Sequence, residues 1–275
     1  MSQLDKIFKI KKPVIGMLHL GYLEGENFKG IEFVIEKALT DIKALQEGDI
    51  DGILIENWKE FSVGEFVSGQ TAKNFKEVVQ KLSKVIKIPF GINVLNNDYK
   101  VAFSTAKLAG AYFIDMDVFV DKVKSNFVNN TNAMERPFVI DPQPDEIWAY
   151  AKSIGAENIP LFVFVQPKHY IMLEPDKTIE ESTKQAIKNG AAAVLVTKAT
   201  GFAPTVDLIK RVKQVAGDIP VGIGSGFSVE NAKEFLPVID FAVVGTALKI
   251  GGETDNPVDT SKVSALMSVV KNARI

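Results

Sequence analysis

The sequence of 275 residues predicts an α/β chain closed into a (β/α)8 TIM barrel of one domain, on three observations. Eight short, β-branched apolar runs recur along it. An amphipathic segment follows each of them. Glycine sits at several helix-to-strand joins, as in LQEGDIDG, KLAGAY and IKNGAAA, where it suits the residue just past a helix end. Continuous apolar runs are what strands buried on both faces require. Eight strands alternating with eight helices over some 250 residues is the barrel pattern. A doubly wound open sheet shares the alternation and differs only in closure.

The elements follow in order. PVIGMLHL (13–20) is the first strand. The helix over 31–46 places Ile31, Val34, Ile35, Ala38, Leu39, Ile42 and Leu45 at helical spacing. DGILIENW (51–58) precedes a helix at 72–86, carried by Phe75, Val78, Val79, Leu82 and Val85. PFGINVL (89–95) leads to a helix at 98–109, and AYFIDMDVF (111–119) to one at 144–155. PLFVFVQ (160–166) is paired with 178–190, and AAVLVTKA (192–199) with 205–217. PVGIGSG (220–226) is followed by 229–236, and FAVVGTA (241–247) by 263–273. Residues 1–12 read as an N-terminal lead-in and 13–275 as the barrel. The stretch 118–143 is too long for a plain connection and rich in Asn, so it reads as a loop excursion after the fourth strand.

Composition narrows the function classes. Hydrophobic residues make up 46% and charged residues 24%, with a formal net charge of −2. Lysines are interleaved with acids, so no basic field recommends nucleic acid or an anionic membrane. The absence of cysteine excludes disulfides, thiolate nucleophiles and Cys-ligated metal. The N-terminus lacks the apolar core of a signal peptide, and no stretch approaches the ~20 apolar residues of a membrane span. A cytoplasmic protein without membrane insertion is the expectation. Barrels of this kind commonly associate, so a homo-oligomer is allowed for.

In a barrel of this class chemistry sits at the C-terminal strand ends. The first two strands end at His19 and at Glu56 and Asn57; the third carries Asn93, and the fourth Asp115 and Asp117. The fifth ends in Lys168 and His169, the sixth in Thr197 and Lys198. His19, Glu56, Asp115, Asp117 and His169 are therefore the catalytic candidates. Asn57, Asn93, Lys168, Thr197 and Lys198 are the substrate-binding ones. Asp115 and Asp117 share a strand face, a spacing that permits paired acid–base work, a divalent metal or a salt bridge. The residues single out no cofactor, and a divalent metal is allowed for.

Three glycines in GIGSG, over 222–226, strip the chain of side chains after the seventh strand, and GT follows the eighth. Loops in these two places frequently cradle phosphate, with a helix N-terminus behind them. Gly224, Ser225, Gly226, Gly245 and Thr246 are the phosphate-binding candidates; a tight turn alone is the simpler alternative. The Rossmann glycine pattern fails at Phe227, and no P-loop, HExxH or GxSxG elbow occurs.

VIGMLHLGYLEG, DGILIENW, PFGINVLNND, GAYFIDMDVFV, PVGIGSGFSVEN and VVGTALKIGG occur in order. Together with the KH after the fifth strand they resemble the BtpA family, which includes the SgcQ-type proteins. The resemblance runs from about residue 13 to about residue 270. It implies a TIM barrel with a phosphate-type site. The family takes its name from a cyanobacterial member linked to photosystem I biogenesis, while other members lie beside sugar-metabolism genes. Lys198 and Ala199 stand where the family often has a glycine-rich stretch.

Two readings follow. One is an isomerase- or lyase-type enzyme acting on a small phosphorylated metabolite, a sugar or nucleoside phosphate. The other is a non-catalytic assembly or regulatory factor.

Overall fold

The computed structural model describes residues 1–59, 64–126 and 137–274. Eight parallel strands close a barrel. They are β1 (Val14–His19), β2 (Gly52–Glu56), β3 (Phe90–Asn93), β4 (Phe113–Met116), β7 (Leu161–Phe164), β9 (Ala193–Val196), β10 (Val221–Ile223) and β11 (Phe241–Val244). β1 pairs with β11, Val14 opposite Ala242, as well as with β2. That pairing closes the sheet and excludes the open, doubly wound alternative.

The helices lie outside. They are α2 (Ile31–Glu47), α3 (Gly69–Leu82), α4 (Tyr99–Ala109), α5 (Pro144–Ser153), α6 (Ile179–Lys188), α7 (Val206–Ala216), α8 (Ala232–Phe235) and α9 (Thr260–Ala273). Side-chain caps start several of them: Ser68 for α3, Asp98 for α4, Thr178 for α6 and Thr205 for α7. Among these, α8 is much shorter than the predicted 229–236. The Asn231 side chain accepts from Ser228 N and donates to Gly226 O, which holds the preceding residues in a turn, and Pro237 follows Leu236.

Alternate strand residues face inward. Ile15 and Met17, Leu54, Phe113, Phe162 and Phe164, Ala193 and Leu195, Phe241 and Val243 form the barrel interior. Their neighbours, such as Val14, Ile53, Ile114 and Val194, form the larger layer beneath the helices. Rings pack across the lower barrel, Phe113 on Phe162 at 4.6 Å and Phe162 on Phe241 at 5.4 Å between centroids. Space for them comes from Gly91 and Gly222, where a Cβ would fall 2.3 Å from Phe113 and 2.5 Å from Phe241.

Two features depart from the sequence reading. The residues read as a lead-in contain α1 (Gln3–Phe8), whose Leu4 and Phe8 plug the lower end of the barrel. The excursion at 118–143 contains β5 (Val123–Ser125) and β6 (Val139–Ile140), while its residues 127–136 lie outside those described. With β8 (Tyr170–Met172) they form an antiparallel sheet in the order β6-β5-β8. No helix among the described residues is long and apolar enough to cross a membrane.

Candidate active site

The same inward alternation that builds the apolar interior carries its polar top. One step above Met17, Leu54, Gly91 and Phe113 on the inner face come His19, Glu56, Asn93 and Asp115. They line a cavity of about 850 Å³ at the C-terminal ends of the strands. Asp117, Lys168, His169, Gly224, Ser225, Gly226, Gly245 and Thr246 share its wall. The wall is divided: side chains of β1 to β4 supply carboxyl, amide and imidazole groups, and the turns after β10 and β11 supply bare backbone.

Asn93 links two of the carboxyls. Its Nδ2 donates to Asp117 Oδ1 at 3.0 Å and lies 3.4 Å from Asp115 Oδ2. Asp115 is 2% exposed, and its Oδ1 has no hydrogen-bond partner. His19 Nε2 lies 3.8 Å from Glu56 Oε1, and its Nδ1 is buried without a partner. Such orphaned polar atoms are costly inside a protein unless a ligand or water meets them.

Burial raises all three carboxyls. Desolvation, with the charge of Asp117 adding to it, pushes Glu56 up to about 8 against an opposing pull from Lys168. Desolvation and the charges of Asp117 and Glu56 raise Asp115 well above the usual carboxylate range. Asp117 is raised by desolvation and drawn back by the Asn93 hydrogen bond and the Lys168 charge. Glu56 is thus a neutral acid at pH 7, and burial favours the neutral form at Asp115 and Asp117 as well, least opposed at Asp115 where neighbouring carboxyls add to it. Desolvation, helped by Lys249 and Lys168, lowers His19 to about 3. Desolvation and Lys168 also lower His169, whose Nε2 meets Thr200 Oγ1 at 2.9 Å. Both imidazoles are neutral at pH 7.

The glycine turn has a packing cause as well as an open backbone. At Gly224 a Cβ would fall 2.4 Å from the Phe164 ring. At Gly226, where φ is 66°, it would fall 2.1 Å from Ala203 N and 2.3 Å from Phe202 C. Among the described glycines, no other combines a positive φ with so close a backbone neighbour. The hydrogen bonds among the described residues leave the N–H groups of Gly226 and Thr246 without an acceptor. The Ser225 hydroxyl is committed: it donates to Phe202 O at 2.9 Å and accepts from Lys198 N at 2.8 Å. The expected helix dipole behind the turn is slight, because α8 has four residues.

Three of the substrate-binding candidates stand outside the cavity. Asn57 is fully buried, and both its amide atoms bond the backbone of Leu95, at 2.7 and 3.1 Å. Thr197 Oγ1 lies 3.1 Å from Ser225 Oγ and from Lys198 O, and Lys198 is exposed. These residues knit the loops together. The cavity also takes in Thr200, from the end of the sixth strand, and Trp58, Tyr170, Phe202 and Thr254, which are not among the site candidates. The Trp58 ring packs tilted against His19, with centroids 5.3 Å apart, and donates to Asp255 at 2.9 Å. Its place directly after Asn57 was the available signal. Among the described residues no group of three or more His, Asp or Glu side chains is arranged to hold a metal ion.

Comparison with known proteins places this site in a family. The protein SgcQ of Escherichia coli, named as a putative sgc region protein, is 31% identical over 281 residues and covers the whole of both chains. An uncharacterised protein of Pyrococcus furiosus is 30% identical over 261 residues, 94% of each chain. Among solved structures, an N-(5′-phosphoribosyl)anthranilate isomerase from Pyrococcus furiosus superposes with a TM-score of 0.54 at 13% identity, over 95% of this chain and 99% of that one. A tryptophan synthase from M. tuberculosis gives 0.56 at 15% identity, over 100% and 98%. These two share the fold. The sequence profile of the BtpA family matches residues 10–272, and the chain belongs to that family.

Proposed function

We propose that this chain is an enzyme that moves protons on a small phosphorylated metabolite, in isomerase- or lyase-type chemistry. The observation that carries the reading is the convergence of Glu56, Asp115 and Asp117 on one cavity floor, with Asn93 linking two of them. Three carboxyls in one buried cluster, with Glu56 held neutral at pH 7, put a base and a proton donor side by side. Asp117 takes a proton from the substrate carbon or hydroxyl. Glu56 or Asp115 returns one to the atom where charge develops, and Lys168 and neutral His19 orient the reacting group. The phosphate lies against the turns at 224–226 and 245–246, on the N–H groups of Gly226 and Thr246. The fold alone decides nothing about chemistry.

Thermal unfolding against inorganic phosphate, sugar phosphates and nucleoside monophosphates tests the reading, since a ligand bound only to the native state raises its midpoint. The expected result is a rise with one phosphorylated class that disappears in Thr246→Asp, which sets a carboxylate where the phosphate would rest. No rise with any phosphate compound would remove the phosphate site and leave a non-catalytic assembly role as the better reading.

A further inference from the structure

We infer that the ligand of this cavity carries a planar aromatic group as well as a phosphate, and that Phe202 is the residue it stacks on. The inference rests on the phosphate reading above and extends it. Phe202 is 66% exposed, the most exposed aromatic side chain among the large hydrophobic residues of the described chain. It is not a loose surface residue. Its carbonyl carbon packs against Gly226, so closely that a Cβ there would lie 2.3 Å away. Its carbonyl oxygen accepts from the buried Ser225 hydroxyl at 2.9 Å. Pro204 follows two residues later and restricts the loop. The backbone is thus fixed to the phosphate turn, and the residue lines the cavity while two-thirds of its surface stays exposed.

Holding a large apolar ring in water on a fixed backbone serves packing of no kind within the chain. A preorganised aromatic face beside a ligand cavity does serve stacking, at little entropic penalty on binding. Cavity size agrees. About 850 Å³ lies toward the upper end of the roughly 300–1,000 Å³ found for small-molecule sites, more room than a compact sugar phosphate fills. The carboxyl floor lies on the β1 to β4 side and Phe202 follows β9, so a phosphate on the turns between would leave one arm for chemistry and one for the ring.

Ribose 5-phosphate and the 5′-monophosphates of adenosine and uridine form the minimal comparison, because they differ by the base. Titration calorimetry on the full chain would measure all three, with inorganic phosphate as a fourth probe, on the wild type, Phe202→Ala and Phe202→Tyr. The expected result is that a nucleotide binds about tenfold or more tighter than ribose 5-phosphate. Phe202→Ala should erase that advantage while leaving ribose 5-phosphate and phosphate unchanged, and Phe202→Tyr should keep it. Ribose 5-phosphate binding as well as the nucleotides, or a Phe202→Ala loss shared equally by all probes, would overturn the aromatic subsite and leave the phosphate site standing. Failure of inorganic phosphate and every other probe to bind would overturn both.

Discussion

Replacing Glu56 by Gln should make the protein more stable, and by an amount that depends on pH. Glu56 is 8% exposed, and its carboxyl is raised from an ordinary 4.5 to about 8 by desolvation first and by Asp117 second. Below pH 4.5 the group is protonated in the folded and the unfolded chain alike and adds no pH dependence. Between 4.5 and 8 the unfolded chain releases the proton and the folded chain keeps it, so folding stability falls as pH rises. Each pH unit in that window is worth about 1.36 kcal/mol, which makes the loss on the order of 3 kcal/mol at pH 7 and under about 1 kcal/mol at pH 5. Gln fills the same volume and cannot ionise. Urea denaturation of wild type and Glu56→Gln at pH 5, 7 and 8 measures the difference directly. The variant should gain little at pH 5 and most at pH 8, while losing any activity that needs a proton from this position. An equal gain at all three pH values, or a loss at pH 8, would refute the idea that Glu56 sits neutral in the folded mouth.

Further expectations concern other parts of the molecule. Gly226→Ala should destabilise by roughly 2–4 kcal/mol, because its Cβ meets the backbone of residues 202 and 203 at positive φ; an unchanged denaturation midpoint would contradict this. Asp41→Ala should cost about 3–5 kcal/mol in the same assay. Asp41 accepts from Lys249 Nζ and Val258 N, each at 2.8 Å, and without it the buried Lys249 ammonium stands alone. Phe8→Ala should cost about 3 kcal/mol, since α1 seals the lower barrel with that ring 6.1 Å from Phe113. Asp117→Asn should fold normally by circular dichroism and lose turnover once the thermal screen names a substrate class; retained turnover would remove Asp117 as the base.

The barrel was legible because burial on both faces leaves continuous apolar runs, and because Glu56, Asn93 and Asp115 interrupt those runs only at their C-terminal ends. Alternation could have gone further. Glu56 faces inward, so Asn57 next to it faces away, and the same parity turns Lys198 from the inward face of Leu195. Both were read as substrate contacts from their place at strand ends, and both stand outside the cavity wall. Ser225 stands where a phosphate contact was expected, but its hydroxyl ties two loops whose proximity no local pattern records. The helix α1 escaped notice because only Leu4 and Phe8 are buried in it and lysines surround them. Strands of two and three residues, such as β5, β6 and β8, are too short to show alternation. Phe202 and Trp58 line the cavity from loops, where periodicity carries no signal.

A crystal structure grown in inorganic phosphate, with no competing anion, tests the central claim most directly. The expected result is a phosphate between the turns at 224–226 and 245–246, within hydrogen-bond distance of Gly226 N and Thr246 N and on the side of the cavity away from Glu56 and Asp115. A mouth without phosphate, or an anion held elsewhere in it, would contradict the assignment of those turns and with it the placing of substrate over Asp117.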